Sequence, residues 1–341
     1  MEDVSRWPRI EDDVTTPQAR VLTDVHAHFL TDDYVAEARR AGVEHPDGMP
    51  SWPAWSVDEH VAMMADNGIG HAVLSISSPG VYFGDATAAA ELARHVNDAA
   101  AAVVTARPRD FSFFASLPLP DVDAAVAEAG RAIDRLGAVG VVLMSNTGGH
   151  YLGDTTLDPL WRHLDERQSI VFVHPTSPPH AEAVALGRPR PMVEFMFETT
   201  RTVTDMIFAG VTARYPRIRF LIPHCGATLP VLSARIELFR SLWPGPDGSP
   251  PGPMTTRDQL QRLWYDLAGA PLPTHAAVLR DTVGDDHVLY GSDYCWTPAY
   301  GVGQQVASLD ADASTDWRAL TTANADVFFE RSGLDAGGPG S

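Results

Sequence analysis

The run LTDVHAHFL, residues 22–30, closes a short apolar segment with two histidines, His26 and His28, separated by a single alanine. On a β-strand, residues two apart share one face, so both imidazoles project the same way. Such a pair can grip one metal ion with both rings, or it can be two hydrogen-bonded histidines on a half-buried strand. The decision rests on whether the rest of the chain repeats the pattern of a short strand ending in a chemically active side chain.

It does. The first strand is read at LTDVHA (22–27), and seven more apolar, β-branched-rich runs follow: HAVLSIS (71–77), FSFFASL (111–117), VGVVLM (139–144), IVFVH (170–174), RFLIPH (219–224), LWYDLA (263–268) and HVLYGS (287–292). Several are near-continuous apolar runs, as expected of parallel strands buried on both faces. Amphipathic helical patterns lie between or after them at 56–68, 85–108, 121–137, 159–167, 194–210, 229–239, 274–281 and 316–329. Eight strands alternating with helices predict an α/β protein built as a (β/α)8 TIM-like barrel. The expected organisation is an N-terminal extension (1–20), a single barrel domain (21–330) and a flexible tail (331–341). The stretches 44–55 and 177–191 follow strands one and five and are placed to overhang the barrel mouth. WPGPDGSPPGP (243–253) reads as an exposed loop.

Composition removes whole classes of function. The net charge is −19, so neither nucleic acid nor an anionic membrane surface is an expected partner. No apolar run approaches the ~20 residues of a membrane-spanning helix, and the acidic start MEDVSRWPRIEDD has no signal-peptide pattern. The expected compartment is the cytoplasm. All 25 basic residues are arginine, so Schiff-base lysine chemistry and a lysine carbamate bridging two metals are excluded. The two cysteines, Cys225 and Cys295, are expected to be small buried thiols rather than a disulfide framework.

In a parallel barrel the active site forms at the C-terminal ends of the strands. Strand one ends with His26 and His28, strand five with His174 and strand six with His224, and strand eight leads to Asp293. Four strands thus deliver imidazole or carboxylate to one rim. Three imidazole nitrogens and one carboxylate oxygen suit a borderline divalent cation such as Zn²⁺, with Mn²⁺ the alternative. The set His26, His28, His174 and Asp293 leaves His224 free for proton transfer.

These residues carry a resemblance. DVHAH, SISSPGVYFGD, FFASLPLPD, VFVHP, ETTRTVTDMIFAGV, RYPRIRFLIPHCGATLP and YGSDY, in that order, resemble the amidohydrolase superfamily. The similarity is specifically to its decarboxylase branch, which includes aminocarboxymuconate-semialdehyde and 6-methylsalicylate decarboxylases, the latter type more closely. It runs from about Val21 to Phe329. It implies an amidohydrolase-type barrel with one Zn²⁺ on His26, His28, His174 and Asp293, and His224 hydrogen-bonding the metal's water or the substrate. It also implies that Arg235 reaches into a neighbouring subunit's site to pair with a substrate carboxylate, which would make a homodimer, or a higher homo-oligomer, the working unit. HCGAT departs from the HAGG or HGGG common after this histidine. Strand four ends Leu143-Met144-Ser145 where a binuclear relative carries its bridging lysine, in agreement with one metal.

The function implied is non-oxidative decarboxylation of a small hydroxybenzoate-type acid, 6-methylsalicylate-like, with release of CO₂. Asp293 or His224 would deliver the ring proton. Phe195, Trp296, Tyr294 and the MPSWPAW segment are candidates for an aromatic-lined substrate pocket, Ser77 and Ser78 for polar contacts, and Asp266 for a partner to a ligand histidine. Two rivals stand beside this reading. One is a mononuclear zinc hydrolase of a lactone or amide on the same scaffold; the other is a barrel that binds without catalysis.

Overall fold

The computed structural model describes residues 21–243 and 252–330. The predicted extension, the predicted tail and most of the 243–253 loop therefore lie outside the described residues. Eight parallel strands form one sheet in sequence order: β1 (Leu22–His28), β2 (Ile69–Ser75), β3 (Phe111–Ser116), β4 (Gly140–Met144), β5 (Ile170–His174), β6 (Arg219–Ile222), β7 (Trp264–Asp266) and β8 (Val288–Leu289). The sheet closes through parallel bridges Asp24–Tyr290 and Ala27–Tyr294, with Val25 N–H donating to the Tyr290 carbonyl at 3.0 Å. The Asp24 carboxylate adds a clasp, accepting from the backbone N–H groups of His26 (3.1 Å) and Ser292 (3.0 Å). The predicted (β/α)8 barrel is the fold observed.

The barrel interior is filled by one layer of large side chains drawn from all eight strands. Val25, Val73, Phe114, Val142, Phe172, Leu221, Trp264 and Leu289 pack together, joined by Ala325 and Phe328 of the last helix, Trp317–Glu330. A second, larger apolar layer fills the space between the strands and the surrounding helices. The inner layer is the floor on which the site stands, because the next inward positions on β5 and β7 are His174 and Asp266. β1 reaches the same level by a different device. Its pairing with β2 slips by one residue between Asp24 and Ala27. This bulge lets Val25 join the inner layer while His26 and His28 both still reach the centre.

Gly140 is required where β4 meets β5: a Cβ there would lie 2.5 Å from the Ile170 carbonyl oxygen. Its absence permits the close register that sets Met144 opposite His174.

Helix ends follow their capping residues. Ser56, Asp85 and Asp121 accept at the starts of Val57–Asn67, Ala86–Ala106 and Val122–Leu136, and Gly68 and Gly137 end the first and last of these in left-handed backbone. Several predicted strands end early, β3 by one residue and β7 by two among them. β2 stops at Ser75, so Ser77 and Ser78 lie on the following loop. β6 stops at Ile222 because Pro223 has no N–H for the ladder, and His224 begins a short 3₁₀ turn instead. β8 is cut to two residues, the chain beyond it keeping single bridges. Besides the short helices Val211–Arg214 and Thr256–Leu260, two longer unpredicted ones appear, Asp32–Arg40 and Ala299–Ala311. The first buries only Tyr34 and Ala38, too thin a stripe to show as periodicity. The second contains Gly301 and Gly303, whose weak helix propensity masks the Val302, Val306 and Leu309 face.

Candidate metal centre

His26, His28, His174 and Asp293 each present one ligand atom to a common point, all four within 4.8 Å of one another. The three histidines are essentially buried. Asp293 follows β8 with φ of 57°, in the left-handed region that a non-glycine residue rarely occupies. Its backbone N–H donates to the His26 carbonyl at 2.8 Å, which fixes the carboxylate beside the two β1 imidazoles.

The hydrogen bonds identify which ring nitrogens face the centre. His26 Nδ1 lies 2.9 Å from Asp266 Oδ2, His174 Nδ1 lies 2.7 Å from the Pro175 carbonyl, and His28 Nδ1 lies 3.3 Å from the Ser75 carbonyl. These carboxylate and carbonyl oxygens accept only, and the Ser75 hydroxyl, 3.0 Å from His28 Nδ1, directs its own proton to the Ala27 carbonyl at 3.3 Å, so each Nδ1 carries the proton and each Nε2 offers a bare lone pair. Yet the Nε2 atoms of His26 and His28 are 3.1 Å apart, and Asp293 Oδ1 stands 3.2 Å from His28 Nε2 and 3.6 Å from His26 Nε2. Lone pairs aimed at one another across a hydrogen-bond distance, with no proton to share, repel. A cation at their midpoint reverses the sign. These three separations lie near the roughly 3.3 Å ligand–ligand edge of a tetrahedron with bonds of about 2.0–2.1 Å, and the whole set, His174 included, falls within 4.8 Å. The residues fit a divalent metal.

Burial sets the protonation states in the same direction. It lowers His28, and it lowers His174 far below the usual imidazole range with the neighbouring imidazoles His28 and His26 adding to the effect. Both are therefore neutral, as ligands must be. Burial would also lower His26, but the Asp266 carboxylate outweighs it and raises the group. Burial would raise Asp293, yet the His224, His28 and His26 imidazoles gathered around it hold it well below the carboxylate range. Asp266 is likewise held low by His26 against its burial. Its Oδ1 accepts from the backbone N–H groups of His224 (3.0 Å) and Ala268 (2.9 Å), so one carboxylate orients both His26 and the turn carrying His224.

His224 stands apart from the four. Its Nε2 is 3.6 Å from Asp293 Oδ2, and its buried Nδ1 has no hydrogen-bond partner. The residue also has positive φ, 54°. It therefore stands beside the four-residue cluster, with Nε2 turned toward Asp293.

A cavity of about 160 Å³ opens above the cluster. His174 and Asp293 line it, with Met49, Phe195, Trp296, Ser77 and Ser78 around the sides. Met49 comes from the 44–55 stretch and Pro191 from the 177–191 stretch, so both reach the mouth. Phe195 and Trp296 thus lie at the cavity, whereas Tyr294 does not. Its ring packs 4.6 Å from buried His60, part of a cage with Trp55 and Phe111. Arg235 is also away from the cavity, exposed on helix Leu229–Leu242 with its guanidinium 4.9 Å over the Phe239 ring. Cys225 and Cys295 are free and buried, and burial pushes the Cys295 thiol up to about 12.

Asp47 and Gly291 are at the site with no motif to mark them. Asp47 lines the cavity; its only signal was its place in the 44–55 loop. Gly291 packs against the His26–Asp266 pair, where a Cβ would lie 2.8 Å from His26 Cβ and 3.1 Å from Asp266 Cβ. A lone glycine ending a strand pattern is the mark of such a close approach.

The amidohydrolase family profile matches residues 23–329. The chain is 32% identical over 281 residues to a 6-methylsalicylic acid decarboxylase of Penicillium expansum, covering 80% of this chain and 84% of that protein. Its fold superposes on a solved amidohydrolase II with a TM-score of 0.85 and 32% identity, over 91% of this chain and 99% of the other. A 5-carboxyvanillate decarboxylase of Novosphingobium aromaticivorans, solved with manganese, superposes with a TM-score of 0.81 at 23% identity, over 92% and 97%; that identity speaks for the fold alone. This chain belongs to the amidohydrolase family, in the branch that holds its decarboxylase relatives.

Proposed function

We propose that the protein is a metal-dependent, non-oxidative decarboxylase of a small hydroxybenzoate-type acid. The observation that carries this reading is the three-histidine, one-aspartate cluster opening into a cavity sized for one ring. At about 160 Å³ it falls well below the ~300 Å³ of drug-sized pockets and near the roughly 150 Å³ that suffices for benzene. The 6-methylsalicylic acid decarboxylase relative supports the same substrate class.

When bound, the divalent cation polarises the substrate's carboxylate and an adjacent hydroxyl. Zn²⁺ fits the donor set, and the manganese bound by the solved relative makes Mn²⁺ the alternative. The chain's own residues do the rest. Phe195 and Trp296 flank the ring and keep water out. Asp293 and His224, 3.6 Å apart, act as a proton-transfer pair aimed at the ring carbon that bears the carboxylate. That carbon gains the proton, its bond to the carboxylate carbon breaks, and the electron pair restores the aromatic ring as CO₂ departs.

Arg235 enters this proposal only through a second chain. The apolar residues Val231, Leu238 and Leu242 lie exposed along the same helix. A homodimer covering that face would carry Arg235 toward the partner's cavity, whose lining contains no arginine of its own. Sedimentation equilibrium showing a monomer at working concentration would remove this part. No helix among the described residues is long and apolar enough to cross a membrane; the cytoplasm is our proposed compartment.

The test is a panel of hydroxybenzoic acids incubated with metal-loaded protein and read by loss of CO₂. Decarboxylation of at least one member is expected. Hydrolysis of lactones or amides, with no CO₂ from any acid, would replace the lyase with the hydrolase.

A further inference from the structure

The cavity contains a second carboxylate that neither the metal cluster nor the proton-transfer pair uses. Asp47 is 9% exposed and sits between Pro46 and Gly48 in left-handed backbone, φ 50°, which aspartate tolerates better than most residues. Both hydrogen bonds from Ser177 go to one oxygen: the Ser177 N–H at 3.2 Å and the hydroxyl at 2.5 Å donate to Oδ1. Arg190 Nε donates in turn to the Ser177 hydroxyl oxygen at 3.2 Å. The guanidinium also lies so close under Gly48 that a Cβ there would collide with it. Two separate loops, 44–55 and 177–191, are thereby locked into one wall that sets Asp47 at the cavity.

The chemistry of that wall is one-sided. Asp47 and Asp293 both line the space, with Ser77 and Ser78 beside them and no arginine. Burial holds Asp47 above the usual carboxylate range against the opposing pull of the Ser177 and Ser78 hydroxyls and the Arg190 charge, so it ionises at a higher pH than an exposed aspartate. Ionised, it accepts hydrogen bonds and cannot donate, and it repels any second anion brought into the same low-dielectric space.

We propose that Asp47 is the specificity-determining residue of the cavity, selecting aromatic monocarboxylic acids that present a ring hydroxyl to this wall and rejecting acids that carry a second carboxylate there. The inference rests on the aromatic-acid reading of the site and deepens it. Asp47 acts through exclusion as much as through contact.

Binding to the metal-loaded protein tests it without requiring turnover. Salicylates that differ at one ring position by hydroxyl, hydrogen or carboxylate, with that position moved around the ring, are titrated at mildly alkaline pH. Intrinsic tryptophan fluorescence gives the affinities. Wild type should favour the hydroxyl compound over the carboxylate at one position. Asp47→Asn should narrow that ratio by about 10- to 100-fold, chiefly through tighter binding of the carboxylate. Ser177→Ala, which keeps the charge and removes its anchor, should retain the rejection of the carboxylate. Equal ratios in wild type and Asp47→Asn would overturn the proposal, and so would Ser177→Ala reproducing Asp47→Asn, since Asp47 would then serve only the loop.

CO₂ release measured in parallel separates the two claims. Changed ratios without CO₂ from any acid would sink the decarboxylase and leave Asp47 standing; CO₂ with unchanged ratios would do the reverse. Failure of every aromatic acid to bind would end both.

Discussion

Asp293→Asn and His224→Asn each lower kcat by roughly 10²–10⁴-fold, the range of a lost general acid or base, and the double variant loses little beyond the worse single one. The reason is geometric. Asp293 Oδ2 and His224 Nε2 face each other at 3.6 Å, so the two act on one proton, and groups acting as a unit are not additive. Both substitutions are nearly isosteric with the group they replace, or smaller, and the backbone bonds that hold the turns do not involve the lost atoms: Asp293 N–H to the His26 carbonyl, and His224 N–H to Asp266. Three imidazole Nε2 atoms remain in Asp293→Asn, so metal should still bind and the loss should fall on kcat more than on metal content. Steady-state kinetics with metal analysis of the same preparations decides the matter. Two independent, multiplying losses would show that the residues serve separate steps, and wild-type kcat in either single variant would remove that residue from the chemistry.

Gly291→Ala weakens divalent-metal affinity by about 10- to 100-fold, the usual effect of disturbing a ligand's supporting partner. No ligand is touched. The added methyl would sit 2.8 Å from His26 Cβ and 3.1 Å from Asp266 Cβ and Cγ, inside van der Waals contact with both members of the pair that fixes the His26 tautomer. The wedge must push His26 from its place or stretch the 2.9 Å bond to Asp266. Asp266→Asn tests the same contact from the other side: an amide in place of the carboxylate removes the charge that holds the Nδ1 proton, and should cost affinity in the same range. Competition with a metal chelator dye measures both. Wild-type affinity in both variants would show that the His26–Asp266 contact is not needed to hold the ion.

The main frame is legible in the primary structure because short apolar runs, rich in β-branched residues, alternate eight times with longer amphipathic patterns. His174 is the clear case: it closes IVFVH, and inward alternation from Phe172 places it above the barrel floor. His26 and His28 were legible as a pair, but the bulge that brings Val25 inward beside them leaves no trace in composition. His224 was read as a strand end and lies on a turn, since Pro223 stops the ladder one residue earlier. Tyr294 was placed at the pocket by proximity in sequence to Asp293, but the chain's course beyond β8 turns its ring into the core beside His60. Asp47 was invisible for a different reason. Its role depends on contact with Ser177, 130 residues away, and nothing in a PDG turn announces such a partner.

The claim beneath all of this is that His26, His28, His174 and Asp293 hold one divalent ion. Its most direct measurement is metal content per chain by plasma mass spectrometry, on wild-type protein and on His28→Ala, each after equilibration with limiting Zn²⁺ or Mn²⁺ and removal of free ion. One tightly held ion per wild-type chain, lost in His28→Ala, is the expected result. Wild-type protein that retains no ion, or a His28→Ala variant that retains it as tightly, would contradict the account.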